Sequence, residues 1–296
     1  MKILVCTGDS HTWGQGAAGF DRGIILPFVA GEKRPAHWDS DGYVNILRRY
    51  VNAHTASSQT VIEASEIASR LGGEEMPCGV KLQGTVTFKN DGELARVFLC
   101  SDTPATAKLN GREYGFAGWL VAPVFGNGDL TIEGDCLLYR VEWYRGKWAV
   151  INAGVGSTPC AVYEENFMDS WVAAYHPDAV IAEAHTVNDW LTREMPDDYA
   201  ENLTRYLRRL CDLTPCVAAL TVPPVLGQTK LDGGFDYTEY VAASRTAIAA
   251  AGVPLGDVNA RFAAVGEDHF SDIWHPNERG YALYAEEAIR FVNQWL

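Results

Sequence analysis

The first ten residues read MKILVCTGDS (residues 1–10), and the fold is predicted from the pattern that they begin. The apolar run from Lys2 to Cys6 is too short for a stable helix and ends directly at polar residues, as a buried strand of a parallel sheet does. Similar runs recur along the chain. We interpret five of them as strands, at Lys2–Cys6, Trp148–Ala153, Ala179–Ala184, Cys216–Val222 and Val253–Val258.

Helical patterns lie between the later strands. Residues 197–213 follow a proline and repeat apolar side chains at helical spacing. Residues 237–251 are also helix-like, and the C-terminal helical segment begins after Asn277, which we assign as its N-cap. The alternation of strands and helices predicts an α/β fold with a five-stranded parallel sheet and helices on both faces.

The stretch from about Cys78 to Lys147 breaks this alternation. It contains β-branched and aromatic runs separated by hairpin signals, at Asp91-Gly92, Asn110-Gly111 and Gly126-Asn127-Gly128. A chain of 296 residues is long for one simple core, so an inserted subdomain is the economical explanation. We therefore predict an α/β domain made of residues 1–77 and 148–296, and an inserted antiparallel β subdomain made of residues 78–147.

Composition narrows the class of partner and the compartment. The formal net charge of −14 argues against a nucleic-acid partner, because phosphate binding needs a surplus of Lys and Arg. The N-terminal apolar run is too short for a signal peptide, and no stretch has the length of a membrane span. The seven cysteines are scattered and fit reduced thiols, and their spacing predicts no zinc site. We expect a cytoplasmic protein with no membrane partner.

Polar residues follow the predicted strands at the points where the strands end. Gly8-Asp9-Ser10 follows the first strand, Gly154-Val155-Gly156-Ser157 the second and His185-Thr186-Val187-Asn188-Asp189 the third, and Asp272-Ile273-Trp274-His275 comes after the last. Because the carboxyl ends of parallel strands share one edge of the sheet, we expect these loops to meet there.

Three of these residues are the types that nucleophilic acyl transfer needs. A serine hydroxyl becomes a good nucleophile when an imidazole takes its proton, so Ser10 is the candidate nucleophile and His275 the candidate base. Asp272 precedes the histidine by three residues and can turn back to orient its ring. The sequence therefore predicts a Ser-His-Asp triad.

The same loops offer donors for the oxyanion that forms when a serine attacks a carbonyl carbon. Preorganised N–H groups stabilise that charge. We assign this role to the backbone of Ser10, to the backbone of Gly156 or Ser157, and to the side chain of Asn188. This set of residues requires no cofactor and no metal ion.

Four of these motifs resemble the sequence blocks of the SGNH/GDSL hydrolase family. Gly8-Asp9-Ser10, Asn152-Ala153-Gly154, Asn188-Asp189 and Asp272-Ile273-Trp274-His275 resemble its nucleophile, second, third and fifth blocks, in the family's order. The resemblance covers roughly residues 1–20 and 148–296. It implies a flavodoxin-like three-layer α/β/α fold and metal-free hydrolysis of esters or thioesters. Ser157 and Thr186 depart from the family pattern, since both stand where glycine is usual.

The expected substrate is a small-molecule or saccharide ester, with a small acyl group such as acetyl on a carbohydrate or other polar metabolite. Trp190 and Trp274 flank the motif loops and offer flat faces to sugar rings. Thr186 adds a side chain that would shorten the acyl pocket, and His11 follows the nucleophile and could line the same pocket. The β insertion could bind substrate, cover the site or form an oligomer.

Other functions stay open from the sequence alone. A lipid or thioester acyl hydrolase would need a long apolar channel, which nothing in the sequence marks. A catalytically silent carbohydrate-binding module would use Trp119, Trp143 and Tyr144 of the β insertion as its platform. The glycines of residues 14–19 match a dinucleotide fingerprint, but they begin eight residues after Cys6 instead of opening a helix directly after the strand.

Overall fold

A computed structural model describes residues 1–20, 38–71, 75–76, 79–227 and 229–296 of the chain. Its strands are, in chain order, β1 (Lys2–Gly8), β2 (Ser58–Glu63), β3 (Glu75–Met76), β4 (Gly79–Phe88), β5 (Leu94–Leu109), β6 (Arg112–Phe125), β7 (Leu130–Arg145), β8 (Trp148–Gly154), β9 (Ala179–Glu183), β10 (Val217–Leu220) and β11 (Leu255–Gly256). Its α-helices are α1 (Ser10–Trp13), α2 (Tyr43–Thr55), α3 (Ala64–Leu71), α4 (Cys160–Asn166), α5 (Thr186–Leu191), α6 (Pro196–Leu213), α7 (Tyr237–Ala251), α8 (Val258–Phe262) and α9 (Glu278–Trp295).

The described residues form two compact units. One lies within Asn52–Ala149, and the other lies within Lys2–Arg22, Pro35–Val51 and Val150–Leu296. We call them the β unit and the α/β unit. None of the helices in the described part of the chain is long and apolar enough to cross a membrane.

The sheet of the α/β unit has the order β11-β10-β9-β1-β8. Strand β9 pairs in parallel with β1 and with β10, and β10 pairs in parallel with β11. Numbered by their position along the chain, these five strands have the order 2-1-3-4-5, which is the flavodoxin-like order. The predicted five-stranded parallel sheet is therefore confirmed. Its order reverses between β1 and β9, which makes their carboxyl ends the expected place for a ligand.

Helices of the α/β unit fall into two groups, as a layered α/β fold requires. Helix α6 packs against α4 and α7, while α9 packs against α8 and β10. Helix α2 joins the second group, because the Tyr50 hydroxyl donates a hydrogen bond of 2.8 Å to Asn293. The predicted N-cap Asn277 begins α9, where its side chain accepts hydrogen bonds from the backbone N–H groups of Arg279 and Gly280.

The β unit is built on an antiparallel sheet with the order β3-β4-β7-β5-β6 in the described residues, and β2 also pairs with β7. The predicted hairpin turn Asn110-Gly111 joins β5 to β6. Both residues have positive φ, +47° and +81°, which is the requirement of a type I′ turn. Apolar residues of this sheet, among them Val97, Leu138 and Trp143, form a shared core with Ile67 of α3.

The β unit takes in more of the chain than the predicted insertion of residues 78–147. Strand β2 forms antiparallel pairs with β7 from Ser58↔Arg145 to Glu63↔Arg140, and α3 packs against β4. These contacts bring residues before 78 into the same unit. Residues 77 and 78, where the predicted boundary falls, lie outside the described residues.

Gly154, at the end of β8, allows the short helix α1 to lie directly against the sheet. A Cβ atom at this position would lie 2.6 Å from the carbonyl carbon of Thr12 and closer still to the backbone nitrogen of Trp13. Since both neighbours are backbone atoms, they cannot move without displacing α1. Ser10 is the first residue of that helix, so Gly154 also fixes the height of Ser10 above the sheet.

We predict that Gly154→Ala lowers the free energy of unfolding by about 1–3 kcal/mol, the usual cost of overpacking a rigid site. The measurement is the urea midpoint followed by tryptophan fluorescence. Gly234→Ala is the matched control, because its added Cβ would be 3.5 Å from the nearest atoms, which is ordinary contact. Equal midpoints for the two variants would contradict the close approach of α1.

Candidate active site

Ser10 lies at the switch point of the sheet, two residues after β1 ends, and His275 lies against it. The Nε2 atom of His275 is 3.0 Å from the Ser10 Oγ atom. Each of these two residues is only 5% exposed. The two predicted residues that stand 265 positions apart in the sequence are thus brought to hydrogen-bond distance.

Asp272 holds the other side of the His275 ring. Its Oδ2 atom is 2.7 Å from Nδ1 of His275, and its Oδ1 atom accepts hydrogen bonds from the backbone N–H groups of Trp274 (2.7 Å) and His275 (2.8 Å). Partial burial alone would raise the pKa of Asp272, but the hydrogen bond from His275 and these N–H groups lower it to about 2. The side chain is therefore a carboxylate at neutral pH, and the ring nitrogen that faces it donates.

Asn188 lies on α5, after β9, and its side chain is anchored by Asp9. The Nδ2 atom donates a hydrogen bond of 2.5 Å to Asp9 Oδ2. Burial would raise the pKa of Asp9, but the charge of His11 and its hydrogen bond hold it well below the usual range. An amide nitrogen carries two hydrogens, so Asn188 keeps a second N–H whose direction the bond to Asp9 fixes.

Gly156 and Ser157 form the turn after β8, and each has a distinct constraint. A Cβ atom at Gly156 would clash with the six-membered ring of Trp13, so this position has no room for a side chain. Ser157 has a φ of +54°, a left-handed conformation that glycine adopts more readily than serine. This angle is one at which glycine would be less strained than the serine that the chain has.

Glu183 is a buried residue next to Asp9 and His185 that the sequence analysis missed. It is the last residue of β9 and fully buried, and its carboxyl accepts hydrogen bonds of 2.7 Å from the backbone N–H groups of both Asp9 and His185. Burial, and then the nearby charge of Asp9, raise the pKa of Glu183 well above its ordinary value. The signal available in the sequence was one acidic residue closing an otherwise apolar strand, Ala179–Glu183.

His11 and Trp274, both predicted to bind substrate, have different surroundings. His11 is fully buried, with Nδ1 3.0 Å from Asp9 Oδ1 and Nε2 3.0 Å from the backbone oxygen of Trp274. It therefore lies behind the site and does not line a pocket in this structure. Trp274 is half-buried, and its indole is edge-on to the ring of His275 at 6.3 Å between centroids.

Thr186 and Trp190, expected to shape the acyl pocket, both point away from solvent. The Thr186 hydroxyl is 2.9 Å from the Tyr199 hydroxyl, which itself donates to the backbone oxygen of Ala184 (2.6 Å). The Trp190 indole donates a hydrogen bond of 3.2 Å to the Phe235 carbonyl. Thr186 is fully buried and Trp190 is 2% exposed, so in this structure their side chains hold α5 in place instead of forming a pocket wall.

Asp9, His11 and Glu183 are the cluster of described residues whose ligand atoms lie close enough for a metal ion, within 4.8 Å of one another. Each of them already has protein hydrogen-bond partners, and all three are fully buried. A metal ion would have to displace those bonds.

The glycines of residues 14–19 follow α1 instead of opening it, which is not the arrangement of a dinucleotide fingerprint.

The basic cluster on α6 bonds to neighbouring helices and turns. Arg205 forms an ion pair of 2.9 Å with Glu164, Arg209 one of 2.7 Å with Asp169, and Arg208 donates to the Ala250 carbonyl. These bonds engage all three arginines of α6.

We predict that Ser157→Gly raises the free energy of unfolding by up to about 1 kcal/mol. The backbone strain that glycine removes from the folded state is larger than the stability lost because glycine gives the unfolded chain more conformational entropy. Urea unfolding is the measurement, and Ser157→Val, whose β-branched side chain tolerates this conformation poorly, should be less stable than wild type. A glycine variant less stable than wild type would refute the strain.

Comparison with known proteins finds one matching protein family. Residues 138–283 match the sequence profile described as the GDSL-like Lipase/Acylhydrolase family, a segment that includes Asn188, Asp272 and His275 and starts after Ser10. No curated protein sequence matches the chain.

Several solved structures share the fold at low sequence identity. A peptidoglycan O-acetylesterase is similar over 100% of this chain and 91% of its own, with a TM-score of 0.55 and 14% identity. The lipase/acylhydrolase from Enterococcus faecalis (TM-score 0.51, 15% identity) is similar over 100% of this chain and 97% of its own. A putative GDSL-like lipase from Parabacteroides merdae (TM-score 0.51, 11% identity) is similar over 99% and 95%. Residues 138–283, just under half of the chain, therefore match a GDSL-like lipase/acylhydrolase domain, and these similarities support a carboxylic ester hydrolase.

Proposed function

We propose that the chain is a serine esterase in which Ser10 is the nucleophile, His275 the general base and Asp272 the residue that orients the base. The observation that carries this proposal is the unbroken chain of contacts from Ser10 Oγ to His275 Nε2 (3.0 Å) and from His275 Nδ1 to Asp272 Oδ2 (2.7 Å). The family profile does not reach Ser10, so the role of Ser10 rests on this geometry.

The protons in this chain have one consistent assignment. Because the Asp272 carboxylate only accepts, Nδ1 of His275 carries the hydrogen, and in the neutral ring Nε2 is left as the acceptor. Ser10 Oγ–H donates to Nε2, and the oxygen attacks the acyl carbon as its proton passes to the ring. The imidazolium then protonates the leaving alcohol. A water molecule, activated by the same ring, hydrolyses the acyl-enzyme and restores Ser10.

The oxyanion of each tetrahedral intermediate would be held by donors from three loops. These are the backbone N–H of Ser10, the backbone N–H of Gly156 or Ser157, and the second N–H of Asn188. Asp9 supports the last assignment, because its bond to Asn188 Nδ2 fixes the amide before substrate arrives. Donors that need no reorganisation during the reaction are the most effective ones.

We propose a small acyl group, such as acetyl, on a carbohydrate or other polar metabolite as the substrate. The half-buried Trp274 beside His275 supports this, since an indole face suits a sugar ring. One protein of the same fold is a peptidoglycan O-acetylesterase, so the fold accommodates such an ester. Thr186 and Trp190 give the proposal no support, because both are buried with partners of their own.

The silent carbohydrate-binding module is less well supported than the esterase. Trp143 and Tyr144 of the β unit, two of its three platform residues, are each 2% exposed and cannot stack on a sugar without rearrangement. The lipid or thioester hydrolase is separated from the small-acyl esterase by the dependence of rate on acyl length.

We predict that Ser10→Ala and His275→Ala each lower kcat/KM by on the order of 10³-fold or more, and that Asp272→Asn lowers it less. The double variant of Ser10 and His275 should be little worse than either single one, because nucleophile and base act as one unit. Multiplicative losses would contradict a shared role.

Asn188→Ala should lower kcat by roughly 10²- to 10³-fold, as a lost oxyanion donor does.

We predict that kcat/KM falls from p-nitrophenyl acetate to butyrate by roughly tenfold, and that octanoate is hardly cleaved, because the poorly fitting methylene groups of butyrate together cost about 1.4 kcal/mol and those of octanoate cost more. Rates are corrected for uncatalysed hydrolysis. Efficiency that rises with acyl length would replace the small-acyl proposal with the lipid or thioester hydrolase.

Thr186→Gly should leave the ratio of kcat/KM for acetate to that for butyrate unchanged, since the Thr186 side chain bonds to Tyr199 away from solvent.

A further inference from the structure

The α/β unit contains two Asp–His pairs side by side, and they differ in one contact. His275 has Asp272 on Nδ1 and the Ser10 hydroxyl on Nε2. His11 has Asp9 on Nδ1 and the backbone oxygen of Trp274 on Nε2, each at 3.0 Å. A hydroxyl can donate to a ring nitrogen, whereas a carbonyl oxygen and a carboxylate can only accept.

The contacts of His11 therefore determine its chemical form. Both ring nitrogens face acceptors at hydrogen-bond distance, and the residue is fully buried, so no water replaces either partner. A neutral ring would direct one nitrogen lone pair at an oxygen lone pair in a site shielded from solvent, which is unfavourable. With a hydrogen on each nitrogen, both contacts become hydrogen bonds.

We propose that His11 is a positioning residue that acts as an imidazolium clamp, donating to Asp9 from Nδ1 and to the Trp274 carbonyl from Nε2. The inference deepens the proposed serine esterase and rests on it for the role of His275. Trp274 directly precedes His275, so the clamp fixes the turn that presents the base to Ser10. His11 itself cannot serve as a base, because neither nitrogen has a lone pair to offer.

The groups around His11 favour one positive charge on His11, paired with one negative charge on Asp9. Asp9 supplies the negative charge, since the contact with His11 holds the pKa of Asp9 low despite its burial. Burial raises the pKa of Glu183 and lowers the pKa of His185, so burial disfavours a charge on either of these neighbours. The ring of Tyr284 stacks on His11 at 6.2 Å between centroids, and burial raises the pKa of its hydroxyl, so it adds no charge.

The charge of His11 also acts on the chemistry of the base. The ring centroids of His11 and His275 are 5.5 Å apart, so a positive charge on His11 opposes a second one on His275. A neutral residue at position 11 would leave the Asp9 carboxylate uncompensated and favour protonation of His275.

The first test is the pH profile of His11→Gln, measured as kcat/KM for p-nitrophenyl acetate. The acid limb should move to higher pH by about half a unit to one unit, which is the effect of one charge at this distance. His54→Gln, which removes an exposed histidine of α2, is the matched control and should leave the limb in place. An unmoved acid limb in folded His11→Gln would overturn the electrostatic role, because a merely structural residue changes the rate without shifting the limb.

The second test needs no variant activity and is made on the unmodified protein. In protein labelled with ¹⁵N at histidine, His11 should show two slowly exchanging ring N–H signals from pH 6 to pH 8, and both should vanish in His11→Gln. A single ring N–H signal for His11 at pH 8 would overturn the clamp. If no ester is hydrolysed at all, the proposed function fails, whereas the two signals would still report the state of His11.

Discussion

The carboxyl group of Glu183 joins the two loops on which the site depends. It stands at the end of β9 and accepts hydrogen bonds from the backbone of Asp9 and of His185, so the loop after β1 is tied to the loop after β9 where the strand order reverses. Gly8 makes room for it, because a Cβ there would lie 2.5 Å from Glu183 Oε2. Ser10 follows one end of this link, and α5, the helix that carries Asn188, follows the other.

Two carboxylates of different exposure, Asp272 and Asp9, each contact a histidine ring of the site. Asp272 is partly exposed and Asp9 is fully buried, yet each has a lowered pKa and each contacts Nδ1 of a histidine. What separates the two pairs is the partner of Nε2. Next to a hydroxyl, His275 can accept a proton, while next to a carbonyl, His11 can only hold one. The two proposed roles, general base for His275 and positioning residue for His11, thus differ in the atom that faces Nε2.

The sequence predicted what periodicity and local chemistry determine: five parallel strands, the type of turn that Asn110-Gly111 forms, the cap at Asn277, and the loops that meet at one edge of the sheet. It did not predict which way a side chain turns within a loop. Thr186 was expected at the pocket and instead bonds to Tyr199, because burial against α6 decides its orientation. Glu183 was missed because its partners are backbone groups, and one of them, Asp9, lies 174 residues away in the chain.

The central claim is that Ser10 is the activated nucleophile, and the most direct test is labelling with a serine-reactive fluorophosphonate followed by peptide mapping. The account predicts one adduct per folded chain, on the peptide that contains Ser10, and labelling that slows by on the order of 10²-fold or more in His275→Ala, which lacks the base. Absence of an adduct on the folded protein, or an adduct on the exposed Ser157 with Ser10 unmodified, would contradict it.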